Sequence, residues 1–160
     1  MQFTGLMHAA IRVADVERAV GFYVGKLGLQ EMFRQYYDSG DLWLVYLRIT
    51  DGQYLEIFPN ATGQTCADFY ANGLNHICLT VSDIAAFIAE MERLDVPLWR
   101  QRKTGGDRNE QAWICDPDGN RIEVMEMVPH SKQHEAIARL RRAKPGARPL
   151  GPAGGCTENA

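Results

Sequence analysis

His8-Ala-Ala-Ile-Arg-Val13-Ala-Asp15 and His76-Ile-Cys-Leu-Thr-Val81-Ser-Asp83 are one phrase written twice, 68 residues apart: His, four residues, Val, one residue, Asp. A second pair follows in the same order. Asp51-Gly52-Gln-Tyr-Leu55-Glu56 and Asp118-Gly119-Asn-Arg-Ile122-Glu123 share Asp-Gly-x-x-apolar-Glu at an offset of 67. Two matches at nearly equal offset mark an internal duplication, which outranks any single motif in deciding the fold. The chain therefore divides into modules at about 5–59 and 73–128, joined by a connector near 60–72, within one domain spanning 1–128.

Each module predicts the same order of elements. His8 to Val13 alternates enough for a short strand, and Asp15 stands where a helix N-cap belongs. Val16, Ala19, Val20, Tyr23 and Val24 then fall on one helical face, with Gly25 and Gly28 as stops. Strands are expected at 29–36, 42–49 and 53–58, the last two joined at the hairpin signal Asp51-Gly52. Module two repeats the plan. A strand at 75–81 leads to Asp83 as cap, then to the apolar stripe Ile84, Phe87, Ile88, Met91 and Leu94. Strands at 97–102, 110–115 and 120–127 complete it. The fold class is α+β, two βαβββ modules pairing into a curved mixed sheet. A four-stranded sheet with one helix buries one face only, so the modules must pair their sheets within the chain or across a dimer.

Composition narrows the function classes. The chain has 160 residues, 46% hydrophobic and 23% charged, ordinary for a globular domain. Residues 1–128 carry 11 basic against 18 acidic side chains, and residues 129–160 carry 6 against 2. An acidic body is poorly suited to nucleic acid, whose affinity rests on neutralised phosphates. No run reaches the roughly 18 apolar residues that cross a bilayer, and the N-terminus lacks signal-peptide features, so a cytoplasmic protein is expected. Cys66, Cys78, Cys115 and Cys156 are scattered without a Cys-x-x-Cys pair, which argues against a disulfide framework and a cysteine zinc site. Three of them are expected to act as small, mostly buried hydrophobes.

The repeats place a His at the same point in each module's first strand and a Glu at the same point in each last strand. Pseudo-twofold pairing would bring His8, Glu56, His76 and Glu123 to one locus. Their neighbours Ile57, Phe58, Ile77, Leu79, Ile122 and Val124 are apolar, and a carboxylate in such a strand costs several kcal/mol unless compensated. A divalent cation compensates two carboxylates at once, and mixed N/O donors suit Ni, Zn, Co, Mn or Fe(II). Read singly, each of the four is also an ordinary strand residue facing water.

The duplicated plan, the helix Arg18-Ala-Val-Gly-Phe-Tyr with Lys26-Leu-Gly-Leu, and Asp-Pro-Asp-Gly-Asn-Arg-Ile-Glu at 116–123 resemble the vicinal oxygen chelate superfamily. That superfamily includes glyoxalases, epimerases, extradiol dioxygenases and bleomycin-binding proteins. The His/Glu/His/Glu set is similar to that of the glyoxalase I (lactoylglutathione lyase) group. The resemblance implies one divalent metal ion held by His8, Glu56, His76 and Glu123, with Glu123 as base and Glu56 assisting. It also implies a homodimer acting on a small molecule, most simply a glutathione adduct converted by proton transfer through an enediolate. By the same resemblance Arg12 and Asn60 correspond to glutathione contacts, beside the plainer readings of a strand-end charge and a turn residue. The alternatives are an extradiol-type dioxygenase, in which Glu56 is idle, and a non-catalytic drug-binding protein.

Residues 129–160 form a basic tail. A short helix is expected at 131–142 with Ile137 and Leu140 on one side, docked on the body or on a second subunit. Residues 145–160 contain 7 Gly or Pro in 16, too little to build a core, so disorder is expected there. His130 and His134 lack a third ligand nearby and read as solvated. Trp43, Trp99 and Trp113 read as core or groove lining.

Overall fold

The computed structural model describes residues 3–63 and 68–143. Its elements are β1 (His8–Arg12), α1 (Val16–Gly25), β2 (Gln30–Tyr36), β3 (Leu42–Thr50), β4 (Gln53–Phe58), β5 (Ile77–Val81), α2 (Ile84–Arg93), β6 (Arg100–Thr104), β7 (Glu110–Cys115), β8 (Arg121–Glu126) and α3 (Lys132–Ala143). Two βαβββ modules are followed by one further helix. The strands form two four-stranded sheets, ordered β1-β4-β3-β2 and β5-β8-β7-β6. Each is mixed: β1 runs parallel to β4, and β5 parallel to β8, while the other pairs are antiparallel.

Local chemistry sets the element ends. The Asp15 carboxylate accepts from Arg18 N at 3.0 Å, and that of Asp83 accepts from Ala85 N and Ala86 N. Both satisfy amides that the first helical turn leaves without partners. Gly28, at φ 73°, turns the chain from α1 into β2. One strand is displaced from expectation: β6 begins at Arg100 rather than 97. Val96 N still caps the helix end on Met91 O, and Pro97 has no N–H to give a ladder.

Alternation sorts the two faces of each sheet. Ile11, Ile57 and Val45 lie in register on the helix side of module one, as do Leu55 and Leu47, and all five are buried. Ile114, Ile122, Val124 and Ala112 do the same in module two. These residues and those of α1 and α2 form one continuous core. The opposite faces carry the polar candidates.

The Asp116–Asn120 turn ties the halves together. Asp116 Oδ1 accepts from Asp118 N and Asn120 N, and its Oδ2 accepts from Asn120 Nδ2 and from the phenol of Tyr23 on α1. Gly119 sits at φ 81° inside this turn. Asp118 accepts from Ala14 N at 2.9 Å and from the Arg18 guanidinium at 3.2 Å. The most family-like stretch of module two therefore anchors the helix of module one. Burial, with the Asp116 carboxylate beside it, pushes the Tyr23 phenol far above its ordinary value, so it remains a donor.

The tail helix forms about where expected and docks on the body, though not through Leu140. Leu140 is 61% exposed. Polar contacts attach the helix instead: Lys132 N donates to Asp107 O, Gln133 bonds Asp107 and Asn109, and Arg108 pairs with Glu135. Asn109 and Ser131 are fully buried at this joint. His130 and His134 are exposed, as expected. The stretch 145–160, with Cys156, and Cys66 of the connector lie outside the described residues. Cys78 is exposed rather than buried, and Cys115 is intermediate. Among the described residues no helix is long and apolar enough to cross a membrane.

Candidate functional site

The parallel pairing within each module brings its His and Glu together. His8 Nε2 lies 3.6 Å from Glu56 Oε2, and His76 Nε2 lies 3.0 Å from Glu123 Oε2. Glu56 pairs with Ala10 on β1 and with Tyr46 on β3, and Glu123 pairs with Cys78 on β5 and with Trp113 on β7. His8 and Ala10 are two apart on β1, and His76, which immediately precedes β5 rather than lying in the strand expected from residue 75, is two before Cys78, so His and Glu share the face that the helices leave open. Both glutamates are nonetheless less than 10% exposed.

Each pair has its own surroundings. Tyr46 stands opposite Glu56 across β3 and β4, and its interaction with that carboxylate raises the phenol's titration above the ordinary range. His8 meets the Tyr46 ring edge-on at 6.3 Å. In module two, desolvation and the Glu123 carboxylate opposite it push the Cys78 thiol up to about 12. His76 meets Trp113 edge-on at 4.6 Å, and its Nδ1 lies 2.9 Å from Asn75 Oδ1. An oriented second nitrogen of this kind fixes which ring nitrogen faces the site.

The four candidates do not all meet within one chain. Among the described residues no three His, Cys, Asp or Glu side chains form a group able to hold a metal ion. The reason is topological: β1 and β5 are the edges of two separate sheets, so each chain presents two half-sites of one imidazole and one carboxylate. Of the two expected pairings, within the chain or across a dimer, a four-ligand locus is thus left to the second. The donor chemistry still fits a divalent cation. Each half-site joins an imidazole to a nearly buried carboxyl group, and two half-sites from two copies would make the N₂O₂ set that suits such ions.

Arg12 and Asn60 stand together at the far end of the module-one face. Arg12 Nη1 donates to Pro59 O at 2.5 Å, and its guanidinium lies over the Phe58 ring. Asn60 takes φ 63°, a left-handed turn conformation. Arg12 projects on the same face as His8, four residues or about 13 Å along the strand. Both are exposed.

Module two carries a cluster that the sequence did not reveal. The Arg100 guanidinium lies over the rings of Trp99, Phe69 and Trp113 at 4.3, 4.5 and 5.4 Å. Arg121 shares the Phe69 and Trp99 rings at 5.2 and 5.9 Å. Trp113 is buried, whereas Trp43 and Trp99 are exposed. A clue lay in the order Trp99-Arg100 opposite Trp113, but it becomes visible only with the register.

Against this geometry, residues 5–124 match the model of the Glyoxalase/Bleomycin resistance protein/Dioxygenase superfamily. The chain belongs to this superfamily. Among relatives of this glyoxalase-type chain, a lactoylglutathione lyase of Pseudomonas putida is 29% identical over 147 residues, covering 76% of this chain and 84% of that one. One of Pseudomonas aeruginosa is 27% identical over 143 residues, covering 74% and 80%. The crystal structure of a glyoxalase family protein from Enterococcus faecalis superposes with a TM-score of 0.69 at 25% identity. It covers 79% of this chain and all of that one.

Proposed function

We propose that the protein is a metal-dependent isomerase or lyase of the glyoxalase type, acting on a substrate with two adjacent oxygens. The reaction that suits it best converts the hemithioacetal of methylglyoxal and glutathione to lactoylglutathione. The observation that carries the reading is the duplication of one half-site: an imidazole within 3.0–3.6 Å of a nearly buried carboxylate, on the open face of each sheet. A buried strand glutamate is costly once; its appearance at two matched positions argues for a shared use. The names of the relatives favour the same chemistry.

The complete site takes His8 and Glu56 from one copy and His76 and Glu123 from another. The open faces support such an assembly, since Phe33, stacked on Tyr46, and Trp99, packed beside Trp113, are exposed there in the single chain, large apolar groups that a partner would cover. Bound between these donors, a divalent ion supplies Lewis-acid stabilisation of negative charge developing on the substrate oxygens. The protein's own residues then handle the proton. The carboxylate of Glu123 takes it from the hemithioacetal carbon and the resulting acid returns it to the adjacent carbon, while the hydroxyl proton passes from the first oxygen to the second, leaving an α-hydroxy thioester with no net gain or loss of atoms. Tyr46, opposite Glu56 across the strands, steadies its carboxylate, so Glu56 assists from a fixed position. Arg12 and Asn60 contact the distant, peptide end of the thiol.

Complementation tests the assembly. His8→Ala and His76→Ala are each expected to abolish hemithioacetal isomerisation. After mixed refolding, half the dimers pair one variant with the other, and each such dimer has one intact site. About a quarter of wild-type activity should therefore return. No recovery on mixing would sink the shared site. Purified protein without stoichiometric transition metal and without turnover would sink the reaction itself. Oxygen uptake with a catechol would point instead to the dioxygenase branch.

A further inference from the structure

We propose that Arg100 and the rings around it form a carboxylate-binding subsite of the same active face. The inference rests on the reading of His76 and Glu123 as the reactive end. The subsite is built from three sides: Trp99 and Arg100 on and beside β6, Trp113 on β7, and Phe69 from the connector. Stacking on aromatic faces satisfies a guanidinium above and below its plane but leaves its N–H edge free to donate. No acidic side chain among the described residues pairs with Arg100. The nearby Arg121 guanidinium, 6% exposed, adds positive charge beneath the same rings.

The scaffold is preorganised. Trp113 Nε1 donates to Gln111 Oε1 at 2.9 Å, which fixes the indole. Asn75 Nδ2 donates to Phe69 O at 2.5 Å while its Oδ1 meets His76. One side chain therefore links the cluster to the half-site. Arg100 pairs with Trp113, and Trp113 with Glu123, so the backbone positions of Arg100 and Glu123 lie two strand spacings, about 10 Å, apart on the same face. A planar fork in that setting suits bidentate capture of a carboxylate. The substrate would then be an acid whose carboxylate lies roughly that far from its reacting oxygens. Both glutathione and a small monocarboxylic acid meet the description.

The test is tryptophan emission of the full-length protein, since Trp99 and Trp113 report directly on the subsite. Titrate it at constant ionic strength with phenylacetate, with its neutral isostere phenylacetamide, and with glutathione. A carboxylate should give a saturable change, weakened about tenfold or more in Arg100→Gln and by a smaller factor in Arg100→Lys. Phenylacetamide should bind correspondingly worse than phenylacetate, a comparison needing no variant. Arg102→Gln, which removes a charge paired with Glu110 outside the cluster, should change nothing. Arg100-dependent binding of glutathione but not phenylacetate assigns the subsite to a peptide thiol, and the reverse assigns it to a small acid. Equal binding of acid and amide, no saturable change with either acid, or an Arg100→Gln protein equal to wild type would overturn the proposal. Carboxylate binding that persists in a protein without hemithioacetal turnover would leave the subsite standing and defeat only the glyoxalase reading.

Discussion

Module one and module two share a backbone plan and a His/Glu pair, yet they surround that pair with different chemistry. Glu56 is flanked across its strands by Ala10 and Tyr46, and Glu123 by Cys78 and Trp113. A phenol faces the first carboxylate across the strands, whereas a thiol faces the second and an indole edge packs on its histidine. Module two alone carries the arginine–aromatic cluster, and it alone supplies the turn that anchors the other module's helix. Duplication has preserved the donors while letting their neighbours diverge. Equal ligands in unequal surroundings are a route to unequal roles, one acid moving a proton while its twin mainly holds charge.

The sharpest way to break that comparison is to neutralise each acid in turn. Glu123→Gln should reduce hemithioacetal turnover by about 10²–10⁴-fold while leaving the circular dichroism spectrum unchanged. Glu56→Gln should cost less under the same assay. Equal losses would make the two carboxylates interchangeable, and an unimpaired Glu123→Gln would remove that residue from the chemistry. Next in size is the link between modules. Asp116→Ala strips the acceptors of four hydrogen bonds and leaves the buried Tyr23 phenol without its partner. A loss of about 2–4 kcal/mol is expected, read as a single unfolding transition at lower temperature. Two separated transitions would mean that the modules fold independently.

Smaller still is Tyr46→Phe. Loss of the phenol's interaction with a charged group should lower kcat about tenfold with little change in stability. An unchanged kcat would leave Tyr46 as packing alone. The weakest effect is at the tail joint. Burial opposes ionisation of Asp107, but hydrogen bonds from Gln133 and Asn109 outweigh it and hold its carboxyl below the usual range. A lowered folded value stabilises the joint above the unfolded pKa near 4, and that contribution is lost as pH falls through the folded value. Hydrogen exchange should therefore show α3 loosening below about pH 4 before the sheets do. Simultaneous release of both would show that the helix is held by other means.

Most of the architecture was legible because its signals are local or repeated. Asp15 and Asp83 cap the expected helices, and Asp51-Gly52 closes the expected hairpin. The His and Glu positions were found by offset, and parallel pairing of first and last strands delivers them to each other. What escaped depends on register and distance. Tyr46 becomes a partner of Glu56 only once β3 is aligned on β4, and Arg100 meets Trp113 only across β6 and β7. Spacing placed a His and a Glu in each module but says nothing about whether two sheet edges close on each other, so pairing within the chain and pairing across a dimer were equally legible. The helix at 132–143 followed its periodicity and its docking on the body was expected, but the side chains that attach it were not legible, because Asn109, Gln133 and the Asp107 carboxylate meet only across the folded chain.

The grip of Asp116 and Asp118 on Tyr23, Ala14 and Arg18 has a historical consequence. A gene that began as two equal copies could once have been cut between them, each product serving as a whole. With the phenol of one half now dependent on an acceptor in the other, neither product would be self-sufficient. The two repeats have become parts of a lineage that can no longer be dismantled into its ancestor.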